Sequence, residues 1–327
     1  MNGELTLGIS YFGKLPNRGD FLKNPANNHQ LIASIDRWAG QALELLSRDV
    51  AWKQLYDLGQ PLNFAVMGSR NRQVVAGHLL PSTDESGRRF PFAAAVSMEV
   101  PQPLAFISRS PLAFARLWAR LERGARQAHD AADPLTPLAE LAENRANVNV
   151  LYESLNPAFQ DFLEMQTLES TQRLLADAGK PVSVRRILFA LGILLQPVMS
   201  AGSAGMGKGL VLPLPSDPMY RNLVACLWLD LLAGFLGRAD FELLVLMRHA
   251  GPAMLAVGFK GLKGSNLQAM FDPHTLESDY IDLYDPEWVD EHIHGDPGVR
   301  KLATYTENDG LSLRTARDTF RETFLGA

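Results

Sequence analysis

Two apolar runs, Ile187 to Leu195 and Asn222 to Gly237, set the strongest limit on how this chain can fold. Each falls short of the ~20 apolar residues that a membrane-spanning helix needs. The second also carries Asp230. Both read as helices buried in a protein core, so the chain must build a core large enough to enclose them. Its 327 residues, 46% hydrophobic and 20% charged, suffice for that. The first ten residues, MNGELTLGIS, have neither the basic start nor the long apolar stretch of a signal peptide. The single cysteine, Cys226, lies in an apolar run and reads as a small buried hydrophobe. Together these features point to the cytoplasm. A net charge of −5 with no evident basic face argues against nucleic acid and against an anionic membrane surface as partners.

Hydrophobic periodicity gives the coarse organisation. Residues 5–12 read as a strand, and 13–28, rich in Gly, Pro and Asn, as an ordered loop. Leu31, Ile32, Ile35, Trp38, Ala42, Leu43, Leu45 and Leu46 recur at helical spacing. Strands are predicted at 62–67, 73–80, 91–98, 209–214, 242–248 and 253–259, with short links that favour antiparallel pairing. Helices are predicted at 112–128, 137–143, 155–177, 182–195, 220–236 and 312–324. The expected fold is α/β: a mixed, mostly antiparallel sheet flanked by helices in an α/β/α layering, with a more helical C-terminal half. The expected division is an N-terminal α/β domain (1–132), a helix-rich α/β region (133–271) and an acidic extension (272–327). Residues 272–309 hold eleven acidic residues, are broken by Pro273, Pro286 and Pro297, and read as an irregular surface wrap. A helix followed by two strands occurs near 30–80 and again near 220–260, which raises an internal repeat.

The most distinctive segments are two short turns. Phe12-Gly13-Lys14-Leu15-Pro16-Asn17-Arg18-Gly19-Asp20-Phe21 sets glycines where a loop must bend sharply, and Pro16 fixes its own φ. Pro81-Ser82-Thr83-Asp84-Glu85-Ser86-Gly87-Arg88-Arg89-Phe90-Pro91 places a short acid beside a turn, suited to receive backbone N–H groups. The expectation is that the two loops lie side by side, joined by Arg88 to Asp20 or by Arg18 to Asp84. The alternative is that each charge is a separate solvated group.

These segments resemble the opening motifs of TagF, the type VI secretion-associated family also called ImpM. Asp36-Arg37-Trp38 falls where that family carries an Asp-x-Trp on its first helix. The resemblance covers residues 8–95 well and the rest loosely. It marks Gly13, Lys14, Leu15, Pro16, Arg18, Gly19, Asp20, Asp36, Trp38, Pro81, Ser82, Asp84, Gly87, Arg88, Phe90 and Pro91 as candidate motif or partner-binding residues. It implies a non-enzymatic, post-translational repressor of type VI secretion assembly. Such a protein would act by protein–protein binding, with the forkhead-associated scaffold protein or another secretion component as partner, and without a cofactor. Two readings from other classes stay open: a hydrolase or nucleotide-dependent enzyme built on the 13–20 and 81–91 loops, and a structural adaptor of the apparatus.

Three patterns imitate chemistry. Gly202 to Gly209 (GSAGMGKG) nearly spells a phosphate-binding loop, but Gly209 stands where Ser or Thr should be, and a helix precedes it while a strand follows. It reads as a linker. Asp290, Glu291, His292 and His294 hint at metal binding without a complete ligand set. His78, Ser82 and Asp84 are close in sequence, but no nucleophile elbow surrounds Ser82.

Overall fold

The structure, a computed structural model, describes residues 3–26, 28–177, 179–202, 206–292 and 297–326. Its centre is a nine-stranded sheet. In chain order the strands of this sheet and of a small second one are β1 (Glu4–Leu7), β2 (Ser10–Gly13), β3 (Leu22–Asn24), β4 (Leu62–Gly68), β5 (Gln73–Leu80), β6 (Phe92–Glu99), β7 (Ala146–Asn149), β8 (Gly209–Pro213), β9 (Glu242–Arg248), β10 (Met254–Gly258) and β11 (Tyr280–Asp282). The large sheet runs β11-β8-β10-β9-β4-β5-β6-β2-β3, and β1 pairs with β7 separately. Every neighbour in the large sheet is antiparallel except β11 beside β8.

Both faces of this sheet are covered, which explains why β4 and most of β9 are buried throughout rather than alternating. The central β4–β9 pairing sets Phe64 opposite Leu246 on one face and Ala65 opposite Val245 on the other. The first face is packed by α1 (His29–Leu46), α2 (Trp52–Asp57), α11 (Gly264–Phe271) and α12 (Pro273–Asp279). Helix α1 buries Leu31, Ile35, Trp38, Ala39, Ala42 and Leu46 there, and the Asn28 side chain caps its start by accepting from the Leu31 N–H. The second face carries α3 (Pro103–Ile107), α4 (Ser110–Asp130), α6 (Tyr152–Met165), α8 (Val184–Leu195), α10 (Pro218–Leu236) and α14 (Leu313–Leu325). The expected α/β/α layering is thus the observed one.

By length and composition alone, Val184–Ala201 and Pro218–Leu236 would suffice to cross a membrane, slightly longer than the apolar runs suggested. Their packing is that of core helices. From Val224 to Leu232 every residue of α10 is buried, and the Trp228 indole donates to the Pro213 carbonyl at 2.9 Å. Fully burying each such Leu is worth ~1.5–3 kcal/mol.

Two expectations need correction. Helices α1 and α10 lie on opposite faces of the sheet, so the two helix–hairpin units do not share one arrangement. The acidic tail is also regular where described: α12, β11, a 3-10 helix at Glu287–Glu291 and α13 (Pro297–Thr306) follow one another. Its prolines start helices instead of breaking them, and its acids serve locally. Asp272 caps α12 by accepting from the His274 N–H, and Asp285 and Asp290 both bind Arg186. The predicted helix at 155–177 is divided into α6 and α7 (Leu168–Leu174), because Thr167 forms a capping box with Ser170. Two further helices complete the chain, α5 (Leu135–Glu143) and α9 (Val198–Ala201).

Candidate functional site

The two distinctive turns leave the same corner of the sheet. Strand β2 pairs with both β3 and β6, so the 13–21 loop and the 81–91 loop are neighbours. They come close at Gly13, whose φ is +141°, and a methyl group there would overlap the Pro91 carbonyl and the Phe92 Cα. Leu15, 0% exposed, anchors the first loop among Phe92 of β6, Ala125 and Ala128 of α4, and Leu138 of α5.

Asp84 organises the second loop. Its Oδ1 accepts from the Ser86 N–H (3.0 Å), the Ser86 hydroxyl (2.8 Å) and the Arg88 N–H (2.9 Å). Its Oδ2 accepts from Lys14 Nζ (2.8 Å) and Arg88 Nε (2.6 Å). Burial pushes the carboxyl pKa up, but the bonds from Lys14, the Arg88 backbone, Ser86 and the Arg88 side chain outweigh it and hold the group well below the ordinary carboxylate range. Gly87, at φ +78°, completes the turn.

The loops do lie side by side, through different partners from those expected. The cross-links are Lys14 to Asp84, the Arg88 Nη2 to the Gly19 carbonyl (2.8 Å), and the Glu85 N–H to the Arg18 carbonyl (3.1 Å). Arg18 turns outward and binds Asp133 at 2.5 Å, while Asp20 is exposed. Lys14 takes the place proposed for Arg18 because it sits at the end of β2, where the sheet directs it at the turn.

Above this buried lattice sits an aromatic group. Phe21 stacks on Phe12 (centroids 5.2 Å apart), meets Phe90 edge-on (4.9 Å) and lies over Lys14 Nζ (4.9 Å), yet remains 44% exposed. Phe21 was not among the candidates singled out from sequence, although it closes the first motif.

The remaining candidates are framework. The Tyr56 hydroxyl donates to the Ser82 carbonyl and accepts from the Ser82 N–H, and burial raises its pKa. Arg89 holds Asp57 of α2 with two bonds, which depresses the Asp57 pKa. Pro91, Phe90 and Ser82 are buried, and Pro16 and Pro81 half-buried. Asp36 is exposed on α1. Trp38 packs against Phe64 and donates to the Lys263 carbonyl, away from the loops.

The imitating patterns also find places. Lys208 precedes β8 and is exposed, and residues 203–205 lie outside the described residues. Asp290 is bound to Arg186, Glu291 and His292 are exposed, and His294 is outside the described residues. Among the described residues no three His, Cys, Asp or Glu side chains are grouped to hold a metal. Cys226 is buried, and burial pushes its thiol up to about 12. His78 bonds to Asn63 across the β4–β5 pairing and not to Ser82. Its Nδ1 donates to Asn63 Oδ1 (2.7 Å), and Asn63 Nδ2 donates to His249 Nε2 (2.6 Å), given the amide orientation. Burial lowers the pKa of His78 to about 3 and that of His249 to about 4. This polar chain was not anticipated.

All of the loop residues fall in a segment, 10–144, that matches the TagF N-terminal domain, type VI secretion system-associated. That segment is similar to the TagF N-terminal domain, and the match covers under half of the chain. The match indicates a type VI secretion association. Among solved structures, the crystal structure of PA0076 from Pseudomonas aeruginosa PAO1 aligns at 19% identity and a TM-score of 0.34. The alignment covers 41% of this chain and 60% of that one, so this chain spans under two thirds of that structure's length. No curated protein matches the chain. The Lys14–Asp84 bridge and the Gly13–Pro91 approach both lie inside the matched segment.

Proposed function

We propose that this chain is a non-enzymatic, cytoplasmic repressor of type VI secretion assembly that acts by binding another protein through the corner formed by the 13–21 and 81–91 loops. The forkhead-associated scaffold protein is the proposed partner. One observation carries the reading: an aromatic side chain, Phe21, is 44% exposed at the top of a rigid, internally satisfied charge lattice. Large aromatics held in place at little entropic cost are what dominate protein interfaces. The charged groups beneath it serve structure: the Asp84 carboxylate is closed to solvent and receives five hydrogen bonds. Asp20, Glu85 and Arg88, all exposed, supply a polar rim.

The test is calorimetric titration of the purified chain with the scaffold protein, then with Phe21→Ala. The wild type binds, and the variant binds at least about tenfold more weakly, a loss of ~1.4 kcal/mol or more, with its melting temperature nearly unchanged. Unaltered affinity in a folded Phe21→Ala protein removes the loop corner from the interface.

A further inference from the structure

Arg248 ends β9 on the sheet face that carries α1, in register with Met254 and Leu62. Its Nε is shielded from solvent and has no acceptor, and no ion pair or hydrogen bond reaches its guanidinium among the described residues. Arg248 as a whole is half-buried, but a nitrogen closed to solvent is normally paired, so its unpaired Nε needs a reason. Burial lowers its pKa, and the Tyr284 phenol opposes that only in part.

The guanidinium opens into a cavity of about 240 Å³. Val211, Met254, Leu276, Tyr280 and Tyr284 make its walls predominantly apolar. The other cation there, Lys180, is already bound to Asp282 and lies 4.0 Å from the Tyr284 ring centroid. Glu277 stands exposed at the rim without an ion pair to Arg248. The interior therefore offers one uncompensated positive charge in an apolar chamber, below the ~300 Å³ at which drug-sized sites begin.

We propose that this cavity binds a small apolar monocarboxylate, its carboxylate held by Arg248 through two parallel N–H bonds and its hydrocarbon body against Met254, Val211 and Tyr280. Arginine's planar fork matches a carboxylate, and only one negative charge is needed to balance it. A dianion is disfavoured, because the exposed Glu277 at the rim repels the second charge. The site is separate from the loop corner and does not depend on the repressor reading.

The test titrates the full chain with phenylacetate and with neutral phenylacetamide by calorimetry. Phenylacetate binds and raises the melting temperature, and the amide binds at least tenfold more weakly. Arg248→Gln reduces phenylacetate binding at least tenfold. Leu276→Trp, which fills the chamber and leaves the arginine in place, does the same and decides the matter should Arg248→Gln fail to fold. Glu277→Gln tightens binding by removing rim repulsion. Equal binding of acid and amide, or no binding of phenylacetate in the millimolar range, overturns the proposal. A Glu277→Gln protein destabilised as much as Arg248→Gln also overturns it, by making Glu277 the arginine's own partner.

Discussion

Replacing Asp230 should destabilise this protein more than almost any other single change of one polar group. Asp230 is 2% exposed in the middle of α10, surrounded by leucines. Its Oδ1 accepts from Arg109 Nη1 at 2.8 Å and its Oδ2 from Arg321 Nη2 at 2.8 Å, with Arg317 Nε at 3.9 Å. Arg109 is itself 1% exposed, bonded to Asn156, Tyr152 and the Ser108 carbonyl, with its guanidinium 3.9 Å from the Phe159 ring centroid. Asp230→Ala leaves the charge of Arg109 buried without a counter-ion, which costs ~3–5 kcal/mol. Total stability is ~5–15 kcal/mol, so this is a large share of it. Asp230→Asn keeps an acceptor and should fall at the lower end. The double variant Arg109→Met with Asp230→Leu removes both charges, and it should recover at least ~1 kcal/mol relative to the sum of the singles, since contacting residues are coupled. Urea unfolding followed by circular dichroism measures the wild type, Asp230→Ala, Asp230→Asn, the singles Arg109→Met and Asp230→Leu, and the double variant. The network joins α4, α6, α10 and α14, so amide exchange in α14 should quicken in the Asp230→Ala protein. A cost under ~1 kcal/mol for Asp230→Ala, or strict additivity in the cycle, refutes the reasoning.

Gly13→Ala should lose folded yield outright, because the added methyl collides with the Pro91 backbone at a positive φ; a soluble variant with an unchanged melting temperature contradicts this. Stability should fall as pH drops below neutrality. His78 and His249 stay neutral in the folded chain down to about 3 and about 4, whereas the unfolded chain takes up their protons near ~6.5. Their contribution is complete above ~6.5 and is lost as pH falls from there towards the depressed folded values. His78→Gln should flatten the urea midpoint between pH 7 and pH 4.5, and an identical slope in both proteins counts against it. A fragment of residues 1–150 should bind hydrophobic dye and aggregate, since it exposes the β4 edge that β9 covers; a monomer with cooperative unfolding shows otherwise.

The sequence disclosed most of the local structure. Strands β5 and β9 occupy the predicted residues, and α1 and α10 differ from prediction by one or two residues at an end. Alternation and helical spacing are local signals, and these elements carry them strongly. The tail was misread because its prolines and acids look solvated, and only the fold shows that Asp272 caps a helix and Asp285 binds Arg186. In the site, the adjacency of the two loops was legible, and the partner of Asp84 was not. Lys14 and Asp84 are seventy residues apart, and their meeting depends on β2 lying beside β6. The chain His78–Asn63–His249 likewise requires β5, β4 and β9 to be neighbours, which no window along the sequence contains.

The charges that make the two motifs recognisable are mostly consumed in holding the motifs together. Lys14 and Asp84 satisfy each other, Arg88 closes the turn and grips the Gly19 carbonyl, and Arg89 ties the loop to α2. A partner gains little from Lys14 and Asp84, already paired out of reach of water, because opening them would cost the desolvated bridge. On the proposed reading, recognition at this corner falls to the side chains the lattice leaves free, and the largest of these is Phe21. Most motif side chains on that reading fix the geometry, and Phe21 with the exposed Asp20, Glu85 and Arg88 reads it out.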